Sequence, residues 1–274
     1  MPAVGLISKN GNAKNLLLVL SALIIAALIV REFLAKQSKI MAPRGNPGEM
    51  AHPRFYEKVQ RDVVGRRLSD IEDMADGILR VFGSDVRAVS VTLFHALAES
   101  TDDAKQVYAT DLTSNPDILK TRQDYLTSNR ELIRSGGAVH RVFICRESDL
   151  ASRDFAQDLL DVVHRHRNIG VACGMAVFER IDPTHAVDFV VFAGAAVLIE
   201  EQQATVDYRT GRSTVQFKRV DGWTHRFKDL WEANRTPSAS EQLAGYEAMV
   251  RRMLADGAWS AAEVREYLSH IDPG

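Results

Sequence analysis

An uninterrupted apolar run near the N-terminus constrains this chain more than any other feature of its sequence. Between Leu16 and Val30 the single polar residue is Ser21, and a cation flanks the run on each side. A helix of this length spans about 22 Å, because each residue adds about 1.5 Å, and the hydrocarbon core of a bilayer is ~30 Å thick. The flanking cations can reach the interface with their long side chains. We therefore predict a short flank over residues 1–14 and a membrane-spanning helix over residues 15–36.

Two other interpretations of this run are weaker on physical grounds. A cleaved signal peptide has an equally short apolar region, but it needs small residues around its cleavage site. The run is instead followed by Arg31-Glu32-Phe33-Leu34. A buried helix of a globular domain would carry a polar stripe, which this run lacks.

Positive charge after the run sets the predicted orientation. Four cations follow it, opposed only by Glu32: Arg31, Lys36, Lys39 and Arg44. Because Lys and Arg accumulate on the cytosolic side of a span, we expect a single-pass protein with its N-terminus outside and its C-terminal domain in the cytosol. The same charges fit contact with anionic lipid headgroups, and a solvated linker is the equal alternative.

The composition is that of a globular protein in a reducing compartment. Apolar residues make up 46% and charged residues 26% of the 274 residues, which argues against disorder and against a polytopic membrane protein. The net charge of −2 offers no global case for nucleic-acid binding. The two cysteines, Cys145 and Cys173, are too few for a secreted disulfide scaffold, so we expect buried thiols.

Glycine, proline and hydrophobic periodicity divide the rest of the chain. Residues 37–53 contain three prolines and two glycines, which is typical of a linker. Residues 54–83 carry apolar side chains at helical spacing and predict an amphipathic helix up to Phe82. An α/β domain over residues 84–235 and a helical tail over residues 238–274 follow.

The first half of the predicted domain alternates between strands and helices. From Arg87 the alternation of Val89, Val91 and Leu93 favours a strand, although a helix running to Ala98 stays open. Strand, helix, strand, helix and strand are then predicted over Gln106–Leu112, Thr121–Ser135, Ala138–Cys145, Ser148–Arg167 and Gly170–Phe178. This order predicts an α/β fold with a mixed sheet and flanking helices.

The second half of the domain has the pattern of an antiparallel meander. Val187–Phe192 and Ala196–Glu201 are apolar strands joined at Ala193-Gly194, and Thr210-Gly211 marks a second hairpin. An aromatic helix over Gly222–Asn234 closes the domain.

The tail carries two capping boxes, which predict a pair of helices. Ser238 with Glu241, and Ser260 with Glu263, each place a hydroxyl at the N-cap and a carboxylate three residues later. Such a pair faintly resembles the short C-terminal oligomerisation modules of bacterial proteins, which would make the chain a homo-oligomer. Packing of the pair on the main domain is the alternative.

The stretch from Arg87 to Asn234 resembles the degenerate single-copy members of the phospholipase D-like superfamily. The elements that carry the resemblance are VYATDL, YLTSNRELIRSGGAVHRVFI, IGVACGMAVFE, VDFVVFAGAAVLIEE and the aromatic helix FKDLWEAN. The resemblance covers slightly over half of the chain and implies a mixed sheet with flanking helices.

The resemblance also implies where catalysis would reside. Active members carry H-x-K-x-x-x-x-D, in which the histidine attacks phosphorus, the lysine neutralises the phosphoryl oxygens and the aspartate orients an imidazole. In this chain His185 takes the first position, and the lysine and aspartate positions fall on Val187 and Phe192. Metal-free hydrolysis by this route is therefore not expected, and no metal site or cofactor is predicted.

Other polar residues are candidates for ligand binding. His164 and His166 lie two apart on a helix, so they point to different sides and do not form a metal site. Together with their neighbouring arginines they suggest a cationic helix end or a phosphate contact. Asp111, Arg130 and Asp188 are expected to converge at one sheet edge, either as a ligand pocket or as structural Asp–Arg pairing; Arg141 is a further ligand-binding candidate.

These features predict a membrane-anchored, non-catalytic phospholipase D-like module that binds a ligand, a lipid surface or a protein partner. Such a module would act in sensing, scaffolding or bacterial conflict signalling. The alternative is a phosphodiesterase or nuclease with a non-standard site built from Asp111, Arg130, His164 or His166 and Asp188, with His185 as a further catalytic candidate.

Overall fold

The computed structural model describes residues 70–83, 85–100, 105–116, 123–202, 212–232 and 237–271. All of them fall within the unit Arg67–Gly274. In these ranges no helix has the length and hydropathy that a membrane crossing requires. The predicted span over residues 15–36, its basic flank and the linker lie outside the described residues.

A mixed seven-stranded sheet forms the centre of the domain, in the order β1-β7-β6-β5-β2-β3-β4. The strands β2, β3 and β4 are parallel, and all other neighbouring pairs are antiparallel. The strands are β1 Ile78–Phe82, β2 Gln106–Leu112, β3 Ala138–Cys145, β4 Ala172–Val177, β5 Phe189–Phe192, β6 Ala196–Gln202 and β7 Arg212–Gln216. This sheet, with helices packed on it, confirms the predicted α/β fold with a mixed sheet and flanking helices.

Besides the helical residues 70–75, seven α-helices accompany the sheet in the described ranges. They are α1 Asp85–Glu99, α2 Gln123–Arg134, α3 Glu147–Leu150, α4 Arg153–Asn168, α5 Asp221–Trp231, α6 Ala239–Ala255 and α7 Ala261–Ser269. Short 3-10 turns occupy Phe178–Arg180 and Pro183–His185. The tail helices α6 and α7 start at the two predicted capping residues, Ser238 and Ser260.

The two faces of the sheet bury separate apolar clusters. On the first face, called the α4 face, Val139 and Phe143 of β3 pack with Leu159 and Val163 of α4. The helices α1, α2, α6 and α7 also contribute to this cluster. On the opposite face, called the α5 face, alternate residues of the same strands pack against Phe227 and other residues of α5. The alternation along each strand therefore decides which helix a side chain meets.

The strand predicted around Val89 is wrong, and the alternative of a helix is correct. Residues Asp85–Glu99 form α1, whose buried side chains are Ser90, Phe94 and Leu97. The short alternation at Val89 coincides with a stripe at helical spacing that packs on the α4-face cluster. Only the helical stripe continues far enough along the segment to be buried.

The amphipathic helix predicted through Phe82 is also wrong in its last part. Residues 70–75 are helical, but Gly77 has a φ of +79°, and the chain then enters β1. Three side chains of the predicted apolar stripe are 42–59% exposed: Ile71, Met74 and Phe82. The positive φ favours glycine and interrupts the helix. The α/β domain therefore begins before the predicted boundary at residue 84.

The tail helices cover the β4 edge of the sheet. The side chains of Leu243, Tyr246 and Val250 in α6 are buried in the α4-face cluster. At the start of α6, Ala239 belongs to the α5-face cluster. A Cβ added to Gly174 of β4 would lie 2.8 Å from the Cβ of Ala239, so the glycine permits this close approach. The helix thus shields an edge strand that would otherwise expose unpaired backbone groups.

Candidate functional site

His185, the predicted first residue of the catalytic pattern, ends a 3-10 turn just before β5. Asp182 begins this turn, and its carboxylate accepts hydrogen bonds from the backbone and hydroxyl of Thr184. The His185 Nε2 atom lies 3.6 Å from the Asp229 carboxylate of α5. Its Nδ1 atom is buried and has no hydrogen-bond partner within the described part of the chain. The imidazole therefore faces α5 rather than a set of polar strand residues.

The positions that the resemblance assigns to lysine and aspartate hold packed apolar residues. The backbone carbonyl of Val187 accepts a hydrogen bond of 2.7 Å from the Thr110 hydroxyl, which anchors the chain entering β5. Phe192 is buried and meets Phe94 of α1 edge-on, with ring centroids 5.1 Å apart. Neither residue supplies a charge that could act on a phosphoryl group.

A buried ion pair lies on the α4 face, between β2 and β3. The Arg141 Nη1 atom donates to Asp111 at 3.1 Å, and the two residues are 2% and 6% exposed. The Arg141 Nη2 atom donates to the Tyr125 hydroxyl, and the guanidinium carbon lies 4.9 Å from the centroid of that ring. The Thr113 hydroxyl donates to the other oxygen of the Asp111 carboxylate at 3.2 Å. Most polar atoms of this pair are therefore satisfied inside the fold.

Asp188 completes a cluster with these residues. Antiparallel pairing of Ala109 with Val190 places Asp188 opposite Asp111 when the register is extended by two residues. Burial opposes the charge of Arg141, but its pKa is raised by nearby Tyr125, Asp111 and Asp188. Asp111, Tyr125, Arg141 and Asp188 are called the Arg141 cluster below. One guanidinium between two carboxylates is held in its charged form.

Asp111 and Asp188 both lie near enough to Arg141 to influence its charge, whereas Arg130, the third residue of the predicted set, does not take part. Arg130 is exposed on α2, and the cation that donates to Asp111 and interacts electrostatically with Asp188 is Arg141. Sequence reasoning missed Tyr125 and Thr113 as partners of this cluster. Tyr125 lies on α2, which connects β2 to β3 along the chain. Its hydroxyl group, on a helix that packs beside these strands, was the signal that could have revealed this partner.

The two histidines of α4 point to different environments, as their spacing predicts. His164 is exposed, whereas His166 is 2% exposed and packs edge-on against Phe143. The Nδ1 atom of His166 lies 2.8 Å from the carbonyl oxygen of Val162, so Nδ1 carries the hydrogen. Burial and the positive charge of Arg141 lower the pKa of His166 to about 3. His166 is therefore neutral, and the prediction that it contributes to a cationic helix end is wrong for this residue.

Neutral His166 makes the stability of the domain depend on pH. Between pH 6.5 and about 3 the unfolded chain binds a proton that the native imidazole does not, so stability falls as the pH falls through this window. We expect His166 to account for a loss of about 2 kcal/mol between pH 7.5 and pH 5. Urea unfolding at both pH values measures it. The pH-dependent loss should be smaller by this amount in His166→Gln, and equal losses in both proteins would contradict a buried neutral imidazole.

The candidate residues do not form one site, because the sheet separates them. His185 contacts α5, and the residues after it pack on the α5-face cluster. The Arg141 cluster lies on the α4 face, where Arg141 influences His166 of α4 and Cys173 of β4. Within the described ranges there is also no group of three His, Cys, Asp or Glu side chains that could hold a metal ion.

Comparison with known proteins returned similar structures but no related sequence. No protein-family model matches the chain, and no curated protein matches it. A phospholipase D family member, Nuc from Salmonella typhimurium, is 12% identical, with a TM-score of 0.38 over 56% of this chain and 91% of its own. Polyphosphate kinase from Porphyromonas gingivalis is 15% identical, with a TM-score of 0.38 over 55% of this chain and 25% of the kinase.

A third similar structure is TrmBL2, an archaeal chromatin protein. It is 10% identical, with a TM-score of 0.32 over 80% of this chain and 66% of its own. At these TM-scores the similarity to the three structures does not assign a function to this chain. The structure itself has a mixed seven-stranded sheet with helices on both faces, and a phospholipase D family member is among the solved structures similar to it.

Proposed function

We propose that this chain is a membrane-anchored, phospholipase D-like module without catalytic activity. Its main support is the placement of His185 and the Arg141 cluster on opposite faces of the sheet. Phosphoryl transfer by a histidine nucleophile needs a cation beside the developing negative charge. The neighbours of His185 in the resembling pattern are Val187 and Phe192, which offer none.

The Arg141 cluster supports a role in stability rather than in phosphoryl transfer. Two guanidinium donors of Arg141 are already used by Asp111 and Tyr125. A phosphate group would have to displace a buried carboxylate to reach this cation, at a large cost in electrostatic energy. The module then acts by binding a ligand, a lipid surface or a protein partner, in sensing, scaffolding or bacterial conflict signalling.

The proposed site of action is the cytosolic face of a membrane. The apolar run Leu16–Val30 would anchor the chain, and the cations Arg31, Lys36, Lys39 and Arg44 would contact anionic headgroups. The domain would then be held within reach of the bilayer surface, which makes that surface a candidate partner.

Vesicles containing the full-length chain test both parts of this proposal. The chain is reconstituted into phosphatidylcholine vesicles with and without phosphatidylserine, and hydrolysis of the lipid and of a chromogenic phosphodiester is measured. We expect rates equal to those of protein-free vesicles, because Val187 stands where the resembling pattern has its lysine. We also expect the chain to stay with the vesicles after an alkaline wash.

Two single variants make the hydrolysis result decisive. His185→Ala removes the histidine at the nucleophile position of the resembling pattern. His164→Ala removes an exposed histidine and is the matched control. Hydrolysis that is lost in His185→Ala and kept in His164→Ala would contradict the proposal and support the phosphodiesterase alternative. Release of the chain by the alkaline wash would contradict the anchor alone.

A further inference from the structure

The two edge strands of the sheet differ in how they are covered. The β4 edge is covered by α6, as described above. The β1 strand, Ile78–Phe82, is the other edge, and in the described part of the chain no strand pairs with its outer side. An edge strand of this kind presents hydrogen-bonding groups to any extended partner.

The hydrogen-bond register of β1 shows which backbone groups point outward. The backbone N–H of Phe217 donates to the carbonyl of Gly77 at 3.0 Å, and the antiparallel register continues from Ile78 opposite Gln216. Hydrogen-bonded pairs alternate in an antiparallel ladder. Leu79 and Val81 therefore bond to β7, and the N–H and C=O groups of Ile78, Arg80 and Phe82 face away from the sheet.

The outward-facing residues lack the usual protection of an edge. The β1 strand has no proline, and the one irregularity in the antiparallel pairing lies between β6 and β7. The charge of Arg80 is paired with Asp73 at 2.8 Å. Phe82 is 49% exposed. An exposed aromatic residue and a neutralised charge on a regular edge favour strand pairing rather than opposing it.

We propose that two copies of this chain pair through antiparallel β1 strands, which joins their sheets into one. The pairing places Arg80 opposite Arg80 at the two-fold axis and Ile78 opposite Phe82 on either side. These three pairs exchange about six backbone hydrogen bonds. The two flanking pairs are complementary, because each brings an aliphatic and an aromatic side chain together on the same face. Each Arg80 keeps its own Asp73 as a counter-charge.

This interface is independent of the proposed loss of catalysis. The strands β7 and β6 separate β1 from β5, which places the interface about 14 Å from the strand that follows His185. It also differs from oligomerisation through the tail, because α6 and α7 bury their apolar side chains in their own domain.

A proline substitution tests the interface with little effect on the β1–β7 ladder. Arg80→Pro removes an N–H group that faces outward, and proline is tolerated at such edge positions. Arg80→Ala removes the same side chain but keeps the N–H group and is the matched control. The mass of the full-length chain is measured by light scattering in a mild detergent, over a range of protein concentrations.

We expect a dimer for the native chain and for Arg80→Ala, and about tenfold or more weaker dimerisation for Arg80→Pro. A monomeric native chain, or equal dimerisation of the two variants, would overturn the proposal. Thermal unfolding shows whether the proline variant is folded.

Disulfide cross-linking decides the question even if the proline variant does not fold. In the proposed pairing, Arg80→Cys places two thiols opposite each other at a distance that a disulfide can bridge. In Phe82→Cys the thiols are about 14 Å apart, so this variant is the control. The native thiols of Cys145 and Cys173 are buried. Rapid cross-linking of Arg80→Cys alone is expected, whereas equal rates for both variants would refute this pairing.

Discussion

Removal of residues 238–274 is expected to unfold the α/β domain. The tail buries seven apolar side chains in the α4-face cluster: Leu243, Tyr246, Val250, Met253, Val264, Leu268 and Ile271. Burial of one such side chain contributes about 1.5–3 kcal/mol, and a domain is stable by about 5–15 kcal/mol in total. The summed burial free energy of these seven side chains is therefore larger than the free energy of unfolding that holds the domain folded. Circular dichroism and urea unfolding of the shortened chain measure the effect.

Hydrogen bonds from the tail strengthen this expectation. The hydroxyl of Tyr246 donates to the carbonyl of Leu150 at 2.7 Å, and the indole of Trp259 donates to the carbonyl of Ala151 at 3.1 Å. Both acceptors lie at the end of α3, where helical carbonyls have no partner within the helix. Without the tail these carbonyls lose their partners and the β4 edge loses its cover.

Single substitutions in the tail measure parts of the same loss of stability. Tyr246→Ala is expected to cost about 3–5 kcal/mol, as for other large buried side chains, and Tyr246→Phe about 1 kcal/mol for the hydrogen bond. Arg265→Ala, at an exposed position of α7, is the control and should change stability by less than about 0.5 kcal/mol. A shortened chain that unfolds cooperatively at the native midpoint would show that the tail is a separate module.

Replacing Arg141 by methionine is expected to have the second largest effect. The change leaves the buried Asp111 carboxylate without its cation, beside Asp188. Breaking a buried ion pair by removing one partner costs about 3–5 kcal/mol. The free energy of unfolding in urea, compared at pH 7, measures this cost. Arg130→Met, which removes an exposed arginine from α2, is the matched control.

A double variant separates the cost of the lone charge from that of lost packing. Arg141→Met combined with Asp111→Leu replaces the pair by apolar side chains, and such a replacement is often neutral. We therefore expect the double variant to recover more than half of the loss, with some penalty remaining from Asp188. A double variant as unstable as Arg141→Met would instead place the loss in packing, and a single variant of native stability would contradict a structural role for the pair.

The parallel strands β2 and β3 could be predicted from the sequence with their boundaries. The segments Gln106–Leu112 and Ala138–Cys145 are bounded by turn residues and are observed as β2 and β3. Both segments are short and rich in apolar residues, and these properties are local. The N-cap positions of α6 and α7 are equally local: Ser238 and Glu241 form a capping box, and the Ser260 hydroxyl accepts a hydrogen bond from the Glu263 N–H.

The edge strand and the first helix could not be predicted in the same way. The segment with Ile78 and Phe82 continues a helical stripe in the sequence, and it becomes β1 because β7 lies beside it and Gly77 turns the chain. The segment around Val89 fits both periodicities, and packing on the α4 face selects the helix. In both cases the deciding contacts come from residues far along the chain, and local periodicity does not contain them.

The candidate site shows the same division. The sequence by itself determined that the positions two and seven residues after His185 hold Val187 and Phe192, since this depends on residue identity and spacing. Only the tertiary structure decided that Arg141, rather than Arg130, pairs with Asp111 near Asp188, because that depends on strand register and on which face each strand position meets. The apolar run Leu16–Val30 stays a property of the sequence alone, since hydrophobic length is set without any folded partner.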